Sequence, residues 1–137
     1  MSDAPAERPA AIVVDDDPII QCVCSRTLEK LGMDVFVVTN GEGAAALAPA
    51  HSRRVTLLLV DVELKSLDGT RTDGTQLLIT LKPLFPYAMA VQMTAYMIDE
   101  LRDRGYKQMN PDAILQKPFS PVELRRFVQA VVSLPSR

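Results

Sequence analysis

Five short apolar runs set the terms for this chain: "AAIVV" (10–14), "DVFVV" (34–38), "VTLLLV" (55–60), "AMAVQM" (88–93) and "AILQ" (113–116). Each is short, and a stretch of helical patterning follows each one. A strand that is apolar almost throughout, rather than at alternate positions, is buried on both faces. Parallel strands need long crossovers, and a helix is the usual one. Strand and helix alternating five times therefore predict an α/β fold, a doubly wound parallel sheet of five strands with five helices over its two faces. The 137 residues, 47% of them apolar, suit one domain with one sizeable core.

The punctuation between the runs agrees. Asp17 can cap a helix that Pro18 opens, that Ile19, Val23, Leu28 and Leu31 stripe, and that Gly32 ends. "GEGAAALAPA" (41–50) reads as one small-residue helix closed around Pro49, and "TQLLITLK" (75–82) as a helix stopped by Pro83 and Pro86. "YMIDELRDRGY" (96–106) has the acidic start and basic end that a helix dipole favours. The last helix is expected over 120–134, with Ser120 and Glu123 as a capping box and Pro121 at its first position. Residues 1–9 read as a disordered lead-in, 62–74 as a long polar loop, 10–134 as the domain and 135–137 as a tail.

Several functions are disfavoured at once. A net charge of −2 gives no basic footprint for direct nucleic-acid binding. No apolar run approaches the roughly 20 residues of a membrane span. The N-terminus has no signal-peptide pattern, so a cytoplasmic location is expected. Cys22 and Cys24, two positions apart on a helix, point in different directions and read as reduced thiols. His51 reads as a solvated surface histidine, and Met89, Met93 and Met97 as filler on or beside the fourth strand.

Ligands of open α/β sheets bind at the carboxyl ends of the strands. The first strand delivers Asp15 and Asp16 there, the third Asp61, the fourth Thr94 and the fifth Lys117. With strand order 2-1-3-4-5 the first and third strands are neighbours, and the acids converge on one crevice. Three carboxylates together call for a counter-charge. Their oxygens suit Mg²⁺, and Mn²⁺ could substitute; such an ion keeps open positions for a phosphoryl oxygen. Lys117 adds a compact positive charge and Thr94 a hydroxyl donor. A carboxylate in that setting can be a nucleophile for phosphoryl transfer.

These residues resemble the receiver domain of two-component response regulators, of the stand-alone, single-domain type. "VVDDDP", "LLLVD", "MTA" and "QKPF" stand in that family's order over about residues 10–134. The resemblance implies a flavodoxin-like fold and a phosphorylation-dependent switch, not an enzyme beyond its own phosphorylation and dephosphorylation. By position, Asp61 would be the phosphoacceptor. Asp15, Asp16, Asp61 and the backbone carbonyl of Glu63 would hold Mg²⁺. Thr94 and Lys117 would hold the phosphoryl group, with the backbone N–H groups of Val62 and Ala95 completing the cradle. A cis bond between Lys117 and Pro118 is also implied. The implied partners are a sensor histidine kinase or histidine phosphotransfer protein and a downstream protein, with no nucleic acid and no membrane, the chain being a monomer or weak dimer. "LPSR" at the end weighs towards a stand-alone regulator over a receiver cut from a longer protein.

Three departures from the family pattern stand out. The segment "VELKSLDGTRTDG" (62–74) lacks the usual proline and offers Asp-Gly twice, which implies an insertion of about five residues beside Asp61. The switch aromatic of the fifth strand is replaced by Ile114, and "NPDA" replaces the usual Gly-Ala before that strand. Ile114 is β-branched and stiff, so it is expected to stay packed inward in one rotamer. The response is then expected to run through Thr94 and residues 95–97, with Tyr96 as the mobile ring. Two other functions share part of this pattern: a phosphorylation-independent pseudo-receiver, and a haloacid-dehalogenase-like small phosphohydrolase using Asp15-x-Asp17. The first would have lost an acid or the lysine, and the second needs a later acidic pair and a cap; neither sign is in the sequence.

Overall fold

The apolar runs do form the predicted sheet. In the computed structural model, which describes residues 8–65, 71–96, 100 and 112–132, β1 (Ala10–Val14), β2 (Asp34–Val38), β3 (Val55–Asp61), β6 (Met89–Thr94) and β7 (Ala113–Gln116) pair in the order β2-β1-β3-β6-β7. Every pairing in this sheet is parallel. The order is the expected 2-1-3-4-5, because β4 (Glu63–Lys65) and β5 (Arg71–Asp73) belong to a separate two-stranded unit.

The side-chain period of two sends each central strand to both faces. Ala10, Ile12 and Val14 of β1 join Leu58 and Val60 of β3 in one core cluster, under α2 (Gly41–Ala45), α3 (Ala48–His51) and α4 (Gly74–Leu81). Ala11 and Val13 join Leu57, Leu59, Val91 and Met93 in the other, under α1 (Pro18–Lys30) and α5 (Pro121–Val132). Cys24 and Leu28 from α1 and Leu124 and Val128 from α5 close that layer.

The helix ends follow the local chemistry. Asp17 accepts the Ile19 N–H at 2.8 Å and caps α1, and Gly32 takes φ +90° at its exit, the left-handed conformation that glycine enters most easily. Ser120 and Glu123 form the reciprocal capping box at 3.0 and 3.1 Å. The expected helix over 41–50 is instead two short helices. Pro49 lies in the first turn of α3, where a missing N–H is tolerated, so it opens a helix rather than closing one. Pro83 lies in a 3₁₀ turn, Lys82–Leu84, that extends α4.

Four further expectations are corrected or fall elsewhere. The segment 62–74 is not a plain loop: β4 (Glu63–Lys65) and β5 (Arg71–Asp73) pair antiparallel as a hairpin. Residues 8 and 9 are tied down rather than disordered, since Pro9 accepts from the Asp34 N–H at 2.9 Å and Arg8 donates to the Gly32 carbonyl at 3.1 Å. His51 is half-buried, its ring 4.6 Å from that of Phe36 and its Nδ1 3.4 Å from Arg54, because the turn before β3 folds it back onto β2. The helix expected over 96–106, Met97, and the lead-in and tail segments 1–7 and 133–137 lie outside the described residues. Both thiols are free, Cys22 exposed and Cys24 buried. Burial, reinforced by the nearby Asp15 charge and only partly offset by Lys117, pushes the Cys24 thiol up to about 12, so it stays protonated.

Candidate functional site

The strand ends build one cleft. Its lining is Asp15, Asp16 and Asp17 after β1, Asp61 to Leu64 after β3, Thr94 to Tyr96 after β6, and Lys117 after β7, around a volume of about 250 Å³. Carboxylate oxygens of Asp15, Asp16 and Asp61 all lie within 4.8 Å of one another. Parallel pairing forces this: Val14 sits opposite Val60 in the sheet, so the residues after them leave side by side.

Asp15 is fully buried, and each of its polar atoms has work. Its Oδ1 accepts the Asp17 N–H at 2.8 Å, and its Oδ2 accepts from Lys117 Nζ at 2.8 Å. Its carbonyl accepts from Gln21 Nε2 at 2.7 Å. Lys117 also lies 3.2 Å from Asp61 Oδ1, so one ammonium bridges two acids. The Lys117–Pro118 peptide is cis, as the resemblance implied.

One lysine does not balance the acids. Burial first, and then the Asp15 charge, push the Asp61 carboxyl up to about 6, against the opposing pull of Lys117 and the Glu63 N–H. Burial alone would lower Lys117, but its hydrogen bonds and ion pairs with Asp15 and Asp61 leave it raised. An acid raised and a base raised in one cleft describe a site short of positive charge.

The residues expected to bind a phosphoryl group are placed unequally. Thr94 is buried at the cleft floor, and its Oγ1 accepts the Tyr96 N–H at 2.9 Å. Ala95 lines the cleft. The Val62 N–H departs from expectation: it donates to the Met93 carbonyl at 3.0 Å, continuing the β3–β6 ladder, and so is already engaged. Ile114 is half-buried rather than packed inward, because it sits on the edge strand β7 opposite Gln92 and belongs to neither core cluster. Glu63 was expected to contribute only its carbonyl; its side chain also accepts from the Tyr96 hydroxyl at 3.0 Å. Two supports were not foreseen, this contact and Gln21. A polar residue six positions after Asp15, on the inward-facing first turns of α1, is the signal that marks Gln21.

The sequence pattern of the response regulator receiver domain matches residues 11–129. The chain belongs to the response regulator receiver family. Among curated relatives, this receiver is 34% identical over 122 residues to the alkaline phosphatase synthesis transcriptional regulatory protein PhoP of Bacillus subtilis, covering 88% of this chain and 47% of PhoP. It is 32% identical over 118 residues to an uncharacterized 14.6 kDa protein in the sodA1 3′ region of Leptolyngbya boryana, covering 86% of each. The chain thus spans about half of the first relative and most of the second. Its fold is similar to the receiver domain of sensor histidine kinase PA1611 from Pseudomonas aeruginosa PAO1, solved with a magnesium ion coordinated in the active-site cleft, with TM-score 0.71, 24% identity, and coverage of 92% of this chain and 98% of that one. No helix among the described residues is long and apolar enough to cross a membrane.

Proposed function

We propose that this receiver is a phosphorylation-controlled switch in which Asp61 accepts a phosphoryl group from a histidine kinase or phosphotransfer protein and thereby changes affinity for a downstream protein. The observation that carries this reading is the convergence of three carboxylates on one cleft, with Lys117 3.2 Å from Asp61. The donor set fits a hard divalent cation, since all three groups offer carboxylate oxygen within 4.8 Å of one another. Asp15, Asp16, Asp61 and the Glu63 carbonyl are the residues that would hold Mg²⁺. When bound, Mg²⁺ supplies the missing positive charge and polarises phosphoryl oxygens.

The chain's own residues do the rest. An Asp61 carboxylate oxygen attacks phosphorus as the phosphorus–nitrogen bond to the donor's imidazole breaks; that nitrogen keeps the bonding pair and is protonated. Lys117 turns from Asp15 and Asp61 to a phosphoryl oxygen. Thr94 donates a hydrogen bond from its hydroxyl to another, and the Ala95 N–H donates one to a third. The Val62 N–H joins them only by leaving the Met93 carbonyl. Asp15, held by the Asp17 N–H and Gln21, stays fixed through the transfer.

Acetyl phosphate with Mg²⁺ tests the reading. Mass spectrometry is expected to find one hydroxylamine-labile phosphoryl group on Asp61, absent from Asp61→Asn. A label on Asp15, or on a serine, would overturn it.

A further inference from the structure

We infer that Tyr96 is a positioning residue, whose hydroxyl clasps the inserted β4–β5 hairpin to the Thr94 turn, so that the state of Asp61 is read out at the hairpin. This rests on the function proposed above and names the element that moves.

A chain of contacts from Thr94 to Asp61 carries the inference. The Tyr96 hydroxyl donates to Glu63 Oε1 at 3.0 Å. The Tyr96 N–H donates to Thr94 Oγ1 at 2.9 Å, and that hydroxyl lies 3.4 Å from the Tyr96 carbonyl. On the other side the Glu63 N–H reaches Asp61 Oδ1 at 3.4 Å. Glu63 is the first residue of β4 and pairs with Asp73 of β5. The hairpin therefore hangs between the two residues that the phosphoryl group would touch. Its next residue, Leu64, is buried in the core, so the hairpin is anchored to the sheet directly beside Glu63.

Thr94 has one hydroxyl proton. Once it goes to a phosphoryl oxygen, the Tyr96 carbonyl loses it, and rotation of the hydroxyl towards Asp61 weakens its bond from the Tyr96 N–H. A phosphoryl group on Asp61 also takes away the delocalised carboxylate charge that the Glu63 N–H approaches, and so weakens that contact. Both ends of the clasp are disturbed by one event. Ile114, half-buried on the edge strand, has no ring with which to make the response that the family routes through that position.

Amide hydrogen exchange on the whole chain tests this. Three proteins are compared, wild type, Tyr96→Phe and Glu63→Gln, each with and without beryllofluoride and Mg²⁺. In the ligand-free state Tyr96→Phe is expected to raise exchange at residues 63–65 and 71–73 by roughly 2- to 10-fold, the range for losing one net hydrogen bond. Glu63→Gln keeps an acceptor oxygen and should stay near wild type. Beryllofluoride should raise hairpin exchange in wild type but change it little in Tyr96→Phe, where the clasp is already open, while Ala95 responds in both. A Tyr96→Phe hairpin that exchanges like wild type, or that responds equally to beryllofluoride, overturns the clasp. If Ala95 and Val62 respond in neither protein, the phosphoryl-acceptor reading itself falls, and the readout with it; the ligand-free comparison separates the two failures.

Discussion

The two ends of the one parallel sheet carry the same kinds of residue and use them oppositely. At the amino end, Asp34 opens β2 beside Arg54, the residue before β3, and Arg8 lies 3.5 Å from the same carboxylate. Asp112, before β7, meets Lys82 at 3.2 Å and accepts the Ala90 N–H at 2.8 Å. Arg54 further lies 5.9 Å from the centre of the Phe36 ring. At the carboxyl end Asp15, Asp16 and Asp61 crowd together, and Lys117 bridges Asp15 and Asp61. Asp34 and Asp112, which meet different cations, sit at the end that holds the strands in place. Asp15 and Asp61, which share Lys117, sit at the end where the proposed function brings a cation and a phosphoryl group. The charge imbalance, more than the presence of charge, separates function from scaffolding.

Removing the lysine from each end should give the largest contrast. The Asp15 side chain is 0% exposed and Lys117 only 16%, so Lys117→Met strands a buried carboxylate. Breaking such a pair costs about 3–5 kcal/mol, and protonation of Asp61 relieves part of it, so a loss of about 3 kcal/mol is expected at pH 8 in chelated buffer. Lys82 and Asp112 are 40% and 32% exposed, and Lys82→Met should cost no more than about 1 kcal/mol. Urea unfolding midpoints measure both. Equal losses would erase the distinction between the two ends.

Asp61→Asn should move stability the other way. A carboxyl raised to about 6 in the folded protein favours folding while protonated, below its unfolded value, and that contribution is lost as pH rises through 6. Above that pH the ionised group opposes folding by about 2–3 kcal/mol, at about 1.4 kcal/mol per pKa unit. The variant is therefore expected to be more stable than wild type by about 2 kcal/mol at pH 8 without metal. The gain should vanish as pH falls below about 4. Added Mg²⁺ should narrow it from the other side, because binding stabilises the wild type by mass action. A destabilised variant in chelated buffer at pH 8 would mean that Asp61 is satisfied as it stands.

Most of this contrast was legible in the sequence at the carboxyl end and almost none at the amino end. Period and burial decide β1 and β3, because "AAIVV" and "VTLLLV" cannot be solvated on either face. The switch from those runs to Asp15 and Asp61 marks where the sheet stops, and the capping chemistry of Asp17, Gly32, Ser120 and Glu123 is local enough to read directly. Three features depend on tertiary contact and left no such mark. The hairpin at 63–73 is short and polar, and its pairing is decided by Leu64 entering the core. The Val62 N–H is spent on Met93 through strand register, which a motif does not encode. His51, Phe36, Arg54 and Asp34 come together only because β2 is the edge next to the α3–β3 turn.

The pH dependence of metal binding sharpens the comparison further. A proton on Asp61 competes with the cation, so Mg²⁺ affinity should be flat above pH 7 and fall by about tenfold per unit once pH drops below about 6. Asp16→Ala should weaken binding at every pH, since it removes a ligand without returning Asp61 to water. Isothermal titration across pH 5–8 reads both effects. An Asp16→Ala protein with wild-type affinity would move the metal away from this cluster.

The smallest effect belongs to Asp34→Asn, and its smallness is the point. Asp34 is 40% exposed, so losing its contact with Arg54 should cost about 0.2–1 kcal/mol despite Arg54 being mostly buried. That loss should shrink as salt rises, because the screening length falls from about 10 Å at 0.1 M to about 3 Å at 1 M. Five residues of β1 separate the two ends, about 16 Å at the usual rise per residue. Across that distance the charge change is screened and the packing is undisturbed, so Mg²⁺ affinity at the cleft should not change measurably. If Asp34→Asn altered metal affinity or the Asp61 titration, charge at the two ends would be coupled through the sheet, and the amino-end pairs would be part of the switch.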